Sequence, residues 1–301
     1  INILIIILAI LVLGVGGLVI YKYLDMSNLT NQTIDTGANI EEEVPETIPE
    51  PEPEVKIFKG TDRPIAVMID NHSEAWPQAN LDKAYLVYEI VVEGGETRLM
   101  ALFKGQDLEK IGPVRSSRHY FLDYALENDA IYVHHGWSPQ AEGDISTLKI
   151  NNINGIAESS SDFWRVKDKL APHNMFTTMD SILKIADRKG YKTTSTQESV
   201  LNYVAKEFDL SDKYELEIVV DETVADETVD ANVTLAPTDE NTDKTRAIAA
   251  NSVTIPHSKL QTVKYEYNEE TKTYTRYARK RVQTDYITGE PVTTKNIIIT
   301  M

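Results

Sequence analysis

The chain has 301 residues, 42% of them hydrophobic, and a formal net charge of −17 at pH 7. Two segments, residues 41–54 and 221–243, carry 15 of the acidic residues and no Lys or Arg, so the rest of the chain is nearly neutral. This distribution leaves no basic face and predicts no nucleic acid partner, and the absence of cysteine excludes disulfides, thiolate metal sites and a cysteine nucleophile.

Residues 1–23 are predicted to be a transmembrane anchor. Residues 1–20 are apolar apart from Asn2, and twenty helical residues span about 30 Å, the thickness of a bilayer core. Tyr21, Lys22 and Tyr23 follow, as aromatic and cationic residues do at a membrane surface. We favour an uncleaved anchor over a cleaved signal peptide, whose apolar stretch is shorter. The chain starts at Ile rather than Met, and we expect it to be a fragment at this end.

Residues 24–60 are predicted to be a disordered acidic tether. Its centre, residues 41–54, alternates Pro with Glu, so it has little apolar surface to bury and repels itself. Such a spacer holds a folded domain clear of a membrane.

Residues 61–209 are predicted to form an α/β or α+β domain with a mixed sheet, because apolar runs typical of strands alternate with helical patterns. The predicted strands are residues 64–69, 84–92, 98–103 and 130–133, and the predicted helices are residues 116–126, 139–149, 178–189 and 196–207.

Residues 210–250 are predicted to be an acidic linker or insertion, and residues 251–301 a smaller β-rich domain. Its predicted strands are residues 252–256, 262–267, 274–281 and 296–300, with a hairpin turn at 268–272. The basic residues Arg276, Arg279, Lys280 and Arg281 are interpreted as one solvated hairpin edge. Because the chain stops after an apolar run, we expect this domain to be truncated.

Polar side chains follow the ends of several predicted strands, where ligand sites of α/β sheets gather. The candidate ligand-binding residues are Asp70, His72, Glu89, Glu93, Arg98, Arg115, Ser116, Arg118, His134, His173 and Asn174.

Three interpretations of these residues remain open. In the first, Asp70, His72, His134, His135 and His173 supply a metal site of two histidines and one carboxylate. The histidines lack tight ligand spacing, so we assign no metal ligands and no cofactor from the sequence. The alternative is that one or two of these histidines are buried and hydrogen-bonded to the backbone.

In the second interpretation, Glu89 and Glu93 are the acid and base of a hydrolase. On a regular strand they lie about 13 Å apart, too far to flank one bond. The alternative is that both are structural, paired with Arg98 or Arg115.

In the third interpretation, Arg115 and Arg118 bind an anion together with a helix N-terminus at Ser116. The alternative is that Ser116 only caps this helix, while the arginines pair with buried acids such as Glu89, Glu93 or Asp123.

Several long motifs carry a resemblance to a known family. They are residues 63–72, 87–98, 112–118, 132–134, 171–174, 265–267, 274–276 and 288–298. In these motifs the chain resembles the YerB-like lipoprotein family, a family of unknown function. The resemblance implies an extracytoplasmic bacterial protein with an N-terminal α/β domain and a smaller C-terminal domain. It implies no activity.

Two departures from this family bear on the anchor and on the C-terminal domain. Lipoproteins need a cysteine after the apolar segment, and this chain has none, so we expect a protein anchor rather than a lipid. The family's C-terminal domain also continues beyond the point where this chain stops.

The sequence therefore predicts a single-pass membrane protein with extracytoplasmic folded domains. The leading interpretation is a binding or structural module of the cell envelope that recognises a polar or anionic ligand. Its expected partners are the membrane and either a cell-wall polymer or an envelope protein. The alternative is an envelope hydrolase with a carboxylate and histidine site, with or without a metal.

Overall fold

The computed structural model describes residues 62–203, 216–217, 247–248 and 250–300. The predicted anchor (1–23), the predicted tether (24–60) and most of the predicted linker (210–250) lie outside these described residues. In the described part of the chain, no helix combines the length and apolarity that a membrane span requires.

The N-terminal domain is built on a mixed five-stranded sheet, as predicted. Its strands are β1 (Ile65–Asp70), β2 (Leu86–Val91), β3 (Thr97–Phe103), β4 (Ile131–His134) and β5 (Asn152–Asn154), in the order β2-β3-β1-β4-β5. Strand β3 is antiparallel to both β1 and β2, whereas β4 is parallel to both β1 and β5. Parallel neighbours need a crossover connection, which a helix supplies between β4 and β5.

Three helices and a short ribbon complete this domain. They are α1 (Leu122–Glu127), α2 (Pro139–Thr147), the antiparallel pair β6 (Phe163–Arg165) and β7 (Met175–Thr177), and α3 (Met179–Arg188). Successive side chains of a strand point to opposite faces of a sheet. In β1, Ile65, Val67 and Ile69 therefore pack in one cluster with α3, while Ala66 and Met68 pack in another with α1 and α2. Both faces are covered, which explains why β1 is a continuous apolar run.

The C-terminal domain is a separate antiparallel sheet. After a two-residue parallel pair, β8 (Leu216–Glu217) with β9 (Ala247–Ile248), the chain forms β10 (Ser252–Pro256), β11 (Thr262–Asn268), β12 (Thr273–Ala278), β13 (Arg281–Val282) and β14 (Thr293–Thr294). Strands β10 to β13 are neighbours in chain order, and β14 pairs with β12. The turn between β11 and β12 is the predicted one, and the Asn268 side-chain oxygen accepts hydrogen bonds from the backbone N–H groups of Glu270 and Thr271.

The loop after β1 is held by this second sheet. The backbone N–H of Tyr286 donates to the Gln78 carbonyl oxygen (2.7 Å), and the Gln283 amide donates to the Gln78 side-chain oxygen (2.7 Å). Gln78 in turn donates to the Asp70 carbonyl oxygen (2.9 Å), so the C-terminal domain reaches the end of β1 through one buried glutamine.

The helix predicted over 116–126 begins later than expected. Helix α1 starts at Leu122, after a 3-10 turn at His119–Phe121. Upstream, the His135 N–H donates to the Arg115 carbonyl oxygen and the Ser117 N–H donates to the Gly136 carbonyl oxygen (both 2.9 Å). Because these backbone groups bond to the loop after β4, residues 115–117 are not helical.

Two further predicted elements are wrong. Residues 196–203, the described part of the helix predicted over 196–207, are not helical. Residues 196–200 are exposed, and a short helix without a packed face has little to stabilise it. Residues 296–300 are not a strand, because no strand in the described ranges pairs with this apolar run to supply its hydrogen bonds.

Candidate functional site

Asp70 is the buried carboxylate on which the site is centred. It ends β1, where a continuous apolar strand gives way to a polar loop. The His173 Nδ1–H donates to its Oδ2 (2.8 Å), and the Arg115 Nε lies 3.1 Å from the same oxygen. The backbone N–H of His72 donates to Oδ1 (3.1 Å). The structure thus brings together four residues that the sequence placed on three separate segments.

His173 is positioned by the loop that contains it. The Asn174 amide donates to the carbonyl oxygens of Val166 and Lys169 (3.0 Å each), which closes the loop between β6 and β7. The His173 ring stacks on the His72 ring, with centroids 4.4 Å apart and planes inclined by 17°. Asn174 therefore positions His173, and His173 lies against the loop after β1.

Three guanidinium groups, those of Arg98, Arg115 and Arg118, form what we call the arginine cluster. Arg98 is buried opposite Asp70 in the β1–β3 register, and its NH1 donates to the Ser116 carbonyl oxygen (2.6 Å). Burial, and then the nearby charges of Arg118 and Arg115, lower the pKa of Arg98 to about 10, while Asp70 and Glu93 act in the opposite direction. Arg98 is therefore close enough to Arg115 and to Arg118 for their charges to repel its own.

Arg118 pairs with Glu93, an exposed carboxylate. Its Nε donates to the Glu93 carboxylate (2.6 Å), and its NH1 donates to the Ser117 carbonyl oxygen (2.8 Å). The hydrogen bond from Arg118 holds the pKa of Glu93 below its usual value. The Ser116 hydroxyl donates to the His135 carbonyl oxygen (3.0 Å), so the predicted helix N-terminus at Ser116 is wrong and side chains alone supply the positive charge.

Glu89 has a different partner from the ones expected. Its carboxylate accepts hydrogen bonds from Arg276 NH2 (2.8 Å), the Thr97 hydroxyl (2.6 Å) and the Asn71 amide (3.1 Å). Burial opposes the ionisation of Glu89, but Arg276 and then His257 outweigh it, so its pKa is lowered. The pairing with Arg98 or Arg115 is wrong for this residue.

Arg276 contradicts the interpretation of its segment as a solvated hairpin edge. Lys280 and Arg281 are exposed, but Arg276 is buried, and its pKa is raised because Glu89 outweighs the effect of burial. The sequence contained a signal for the burial of Arg276. Side chains alternate along a strand, so Arg276 shares a face of β12 with the small apolar residue Ala278.

The hydrolase interpretation that uses Glu89 and Glu93 gains no support from these contacts. An acid and base pair needs two carboxyl groups whose pKa values are pushed apart. Here the pKa of each is lowered, so both are carboxylates at neutral pH and neither is poised to donate a proton.

His134 lies apart from the Asp70 contacts. Its Nδ1–H donates to the Gly136 carbonyl oxygen (2.8 Å), its Nε2 lies 3.2 Å from the Asn152 side-chain oxygen, and burial lowers its pKa to about 4. His134 is thus the buried, backbone-bonded histidine of the structural alternative. His135 is half-buried, and burial followed by the charge of Arg165 lowers its pKa.

Glu74 is a site residue that sequence reasoning missed. It lies on the 3-10 turn Ser73–Ala75, and its Oε2 is 3.6 Å from the His173 Nε2. His72, Glu74 and His173 each offer one ligand atom, and these atoms all lie within 4.8 Å of one another. An exposed loop glutamate carries no distinguishing signal in a single sequence. In the described residues, these three are the side chains grouped closely enough to hold a metal.

Comparison with known proteins shows which family the chain is similar to. Residues 51–192 match "Protein of unknown function (DUF3048) N-terminal domain", and residues 253–301 match the corresponding C-terminal domain. The chain is 35% identical over 237 residues to "Putative lipoprotein YerB" of Bacillus subtilis (strain 168), covering 79% of this chain and 61% of that protein. The chain thus spans less than two thirds of that relative's length.

A solved structure is also similar. The crystal structure of the YerB protein from Bacillus subtilis matches with a TM-score of 0.60 and 31% identity, covering 80% of this chain and 69% of that chain. The fold described above is therefore similar to one that has been solved.

Proposed function

This chain belongs to the DUF3048 family, as its motifs predict, and we propose that it is a cell-envelope binding module that recognises an anionic ligand. Its Bacillus relative is named as a lipoprotein, and that likeness supports a membrane-associated, extracytoplasmic location. The apolar residues 1–20 are long enough to span a bilayer core and would serve as the anchor.

The observation that supports an anionic ligand is the excess of positive charge in the arginine cluster. Three guanidinium groups face two carboxylates, Asp70 and Glu93, and Asp70 is also engaged by His173. Burying like charges together is costly unless an opposite charge compensates them. A bound anion would supply that charge.

The exposure of the cluster suits a ligand that arrives from solvent. Arg98 is buried, whereas the side chains of Arg115 and Arg118 are partly exposed. Guanidinium groups bind phosphate and carboxylate oxygens through paired N–H donors. The proposed ligand class is therefore a phosphate or carboxylate group, either on a cell-wall polymer or on an envelope protein.

Titration calorimetry of the full chain in detergent, with inorganic phosphate as the probe, tests this proposal. Loss of one charge-assisted hydrogen bond, worth about 1.5–3 kcal/mol, should weaken phosphate binding at least about tenfold in Arg118→Gln and in Arg115→Gln. Arg188→Gln, which removes an exposed arginine of α3, is the matched control and should bind as the original chain does. Phosphate binding that is absent, or equal in all four proteins, would contradict the proposal.

Co-sedimentation with purified peptidoglycan identifies the source of the anion. Pelleting of the original chain and of Arg188→Gln, but not of Arg118→Gln, would indicate a wall polymer as the ligand. If no protein pellets while phosphate binding persists, the anion belongs to an envelope protein or a small molecule.

A further inference from the structure

His173 has the environment of a metal-binding histidine. Its Nδ1–H donates to the buried Asp70 carboxylate (2.8 Å), and this bond leaves the lone pair on Nε2. Histidines that bind metals characteristically donate their other ring N–H to a carboxylate or carbonyl group. The Nε2 of His173 lies 3.6 Å from Glu74 Oε2, so its free nitrogen is close to a second ligand type.

His72 and Glu74 are brought together by one tight turn. His72 caps the 3-10 turn Ser73–Ala75, and its Nδ1 accepts a hydrogen bond from the Glu74 backbone N–H (3.2 Å). The His72 ring also stacks on His173, so its position is set from two sides. A metal would bind His72 either at Nδ1, replacing this weak hydrogen bond, or at Nε2 after a change of tautomer.

The spacing of the three ligand atoms leaves only a small movement for coordination. They lie within 4.8 Å of one another, whereas metal–ligand bonds of about 2.0–2.2 Å place tetrahedral ligand atoms roughly 3.3 Å apart. The Glu74 side chain is 59% exposed and can make this approach while His173 keeps its hydrogen bond to Asp70. His72 gives up its hydrogen bond to the Glu74 N–H, and its ring turns out of the stack so that its lone pair points to the same metal as that of His173.

We propose that His72, Glu74 and His173 form a binding site for a divalent transition-metal ion, with Asp70 positioning His173. Two imidazoles and one carboxylate suit Zn²⁺ and its first-row neighbours, whereas Ca²⁺ and Mg²⁺ prefer oxygen ligands throughout. Three protein ligands leave at least one coordination position of a tetrahedral metal open to water or a ligand. The site goes beyond the proposed anion binding, to which it is linked only through Asp70, since Arg115 contacts the same carboxylate oxygen.

Titration of the full chain, purified in detergent and stripped of metal, tests the site with Zn²⁺ by calorimetry and with Co²⁺ by visible absorption. We expect one saturable equivalent in the original chain and at least tenfold weaker binding in Glu74→Gln. Asp70→Asn should weaken binding by about 10–100-fold, because it removes the carboxylate that orients His173 but none of the three ligands. His173→Gln should abolish it.

Two control variants separate this site from background binding. Glu142→Gln changes an exposed glutamate of α2 and His119→Gln changes a histidine outside the site, and both should keep the original affinity. The acidic segments are present in every variant, so their contribution to background binding is common to all. Glu74 is exposed and its replacement should leave the melting temperature unchanged, which keeps the test valid even if His173→Gln fails to fold.

The proposal is overturned if no saturable equivalent is bound, or if Glu74→Gln binds Zn²⁺ as tightly as the original chain. In that case the histidines and Asp70 are a purely structural hydrogen-bonded group. Phosphate titration of metal-free protein is independent of this outcome, so failure of the metal site and failure of the anion proposal are distinguishable.

Discussion

His134 and His173 show how neighbouring contacts give one residue type two different roles. Both are buried, but His134 contacts a carbonyl oxygen and an amide oxygen, whereas His173 contacts the carboxylate of Asp70. Without a compensating negative charge, burial lowers the pKa of His134 to about 4, so its ring is neutral at physiological pH. It therefore stabilises the loop after β4 and carries no charge into the site.

Stability should depend on pH through His134. Its folded pKa of about 4 lies below the unfolded value of about 6.5, so between these values the unfolded chain binds more protons. The free energy of unfolding should thus fall by about 3 kcal/mol as pH decreases from 6.5 to 4, with no further loss from this group below 4. Urea unfolding across this range should show a smaller decrease for His134→Gln than for the original chain. His119→Gln, as control, should keep the original slope, and an unchanged slope in His134→Gln would refute the assignment.

Helix α3 illustrates how local sequence signals and packing combine in one element. The Thr178 side chain accepts a hydrogen bond from the Ser181 N–H (2.9 Å), which caps the first turn. Met179, Ile182 and Ile185 then recur at helical spacing and pack against the face of the sheet that includes Ile65 and Val67. The N-terminal cap and the apolar face both favour a helix over the same residues, so α3 forms where the sequence predicts it.

Two adjacent residues of α3 should differ sharply in their contribution to stability. Ile182 is fully buried, and Ile182→Ala removes packed atoms and leaves a cavity, for an expected loss of about 2–5 kcal/mol. Leu183 is 40% exposed, and Leu183→Ala should cost less than about 1 kcal/mol. Denaturant unfolding monitored by circular dichroism measures both. Equal losses would mean that α3 does not present the Ile182 face to the sheet.

Across the whole molecule, the two sheets are joined by polar side chains rather than by apolar surface alone. Glu89 on β2 pairs with Arg276 on β12, and Gln78 bonds to Gln283. The Ser258 hydroxyl also donates to the Gly95 carbonyl oxygen, in the loop between β2 and β3. Glu89 also accepts a hydrogen bond from Asn71, and Gln78 donates to the Asp70 carbonyl oxygen, so the C-terminal domain helps to hold the loop that follows β1.

The Glu89–Arg276 pair should behave as a buried ion pair in a double-mutant cycle. Glu89→Gln leaves the buried Arg276 without its carboxylate, for an expected loss of about 3–5 kcal/mol. Glu89→Gln combined with Arg276→Met should lose less than the sum of the two single variants, because no charge is then left unpaired. Glu266→Gln, which breaks the exposed pair with Lys264, is the control and should cost at most about 1 kcal/mol. Additive losses at Glu89 and Arg276 would show that the pair does not couple the domains.

Elements with a strong local signal were predictable from the sequence. The apolar run of β1, its polar end at Asp70 and the hairpin turn at Asn268 depend on residues next to one another in the chain. The helix predicted to begin at Ser116 was wrong, because the backbone of residues 115–117 bonds to the loop after β4 instead. The order of the strands in the sheet brings that loop next to these residues, and a local sequence pattern does not show the strand order. The strand predicted at residues 296–300 was also wrong. Its apolar pattern is typical of a strand, but a strand forms only where a second strand pairs with it, and the pattern does not show whether one is available.

The sequence by itself determined the family, the mixed sheet of the N-terminal domain, the β-rich character of the C-terminal domain and most of the candidate polar residues, because periodicity, turn chemistry and motifs are properties of short segments. Only the tertiary structure decided which of these residues meet. Asp70 contacts His173 across 103 positions, and Glu89 contacts Arg276 across 187. With 30 Lys and Arg in the chain, charge alone cannot select a partner for either carboxylate. The choice follows from strand order and from the face on which each side chain lies, and these are set only when the two sheets pack.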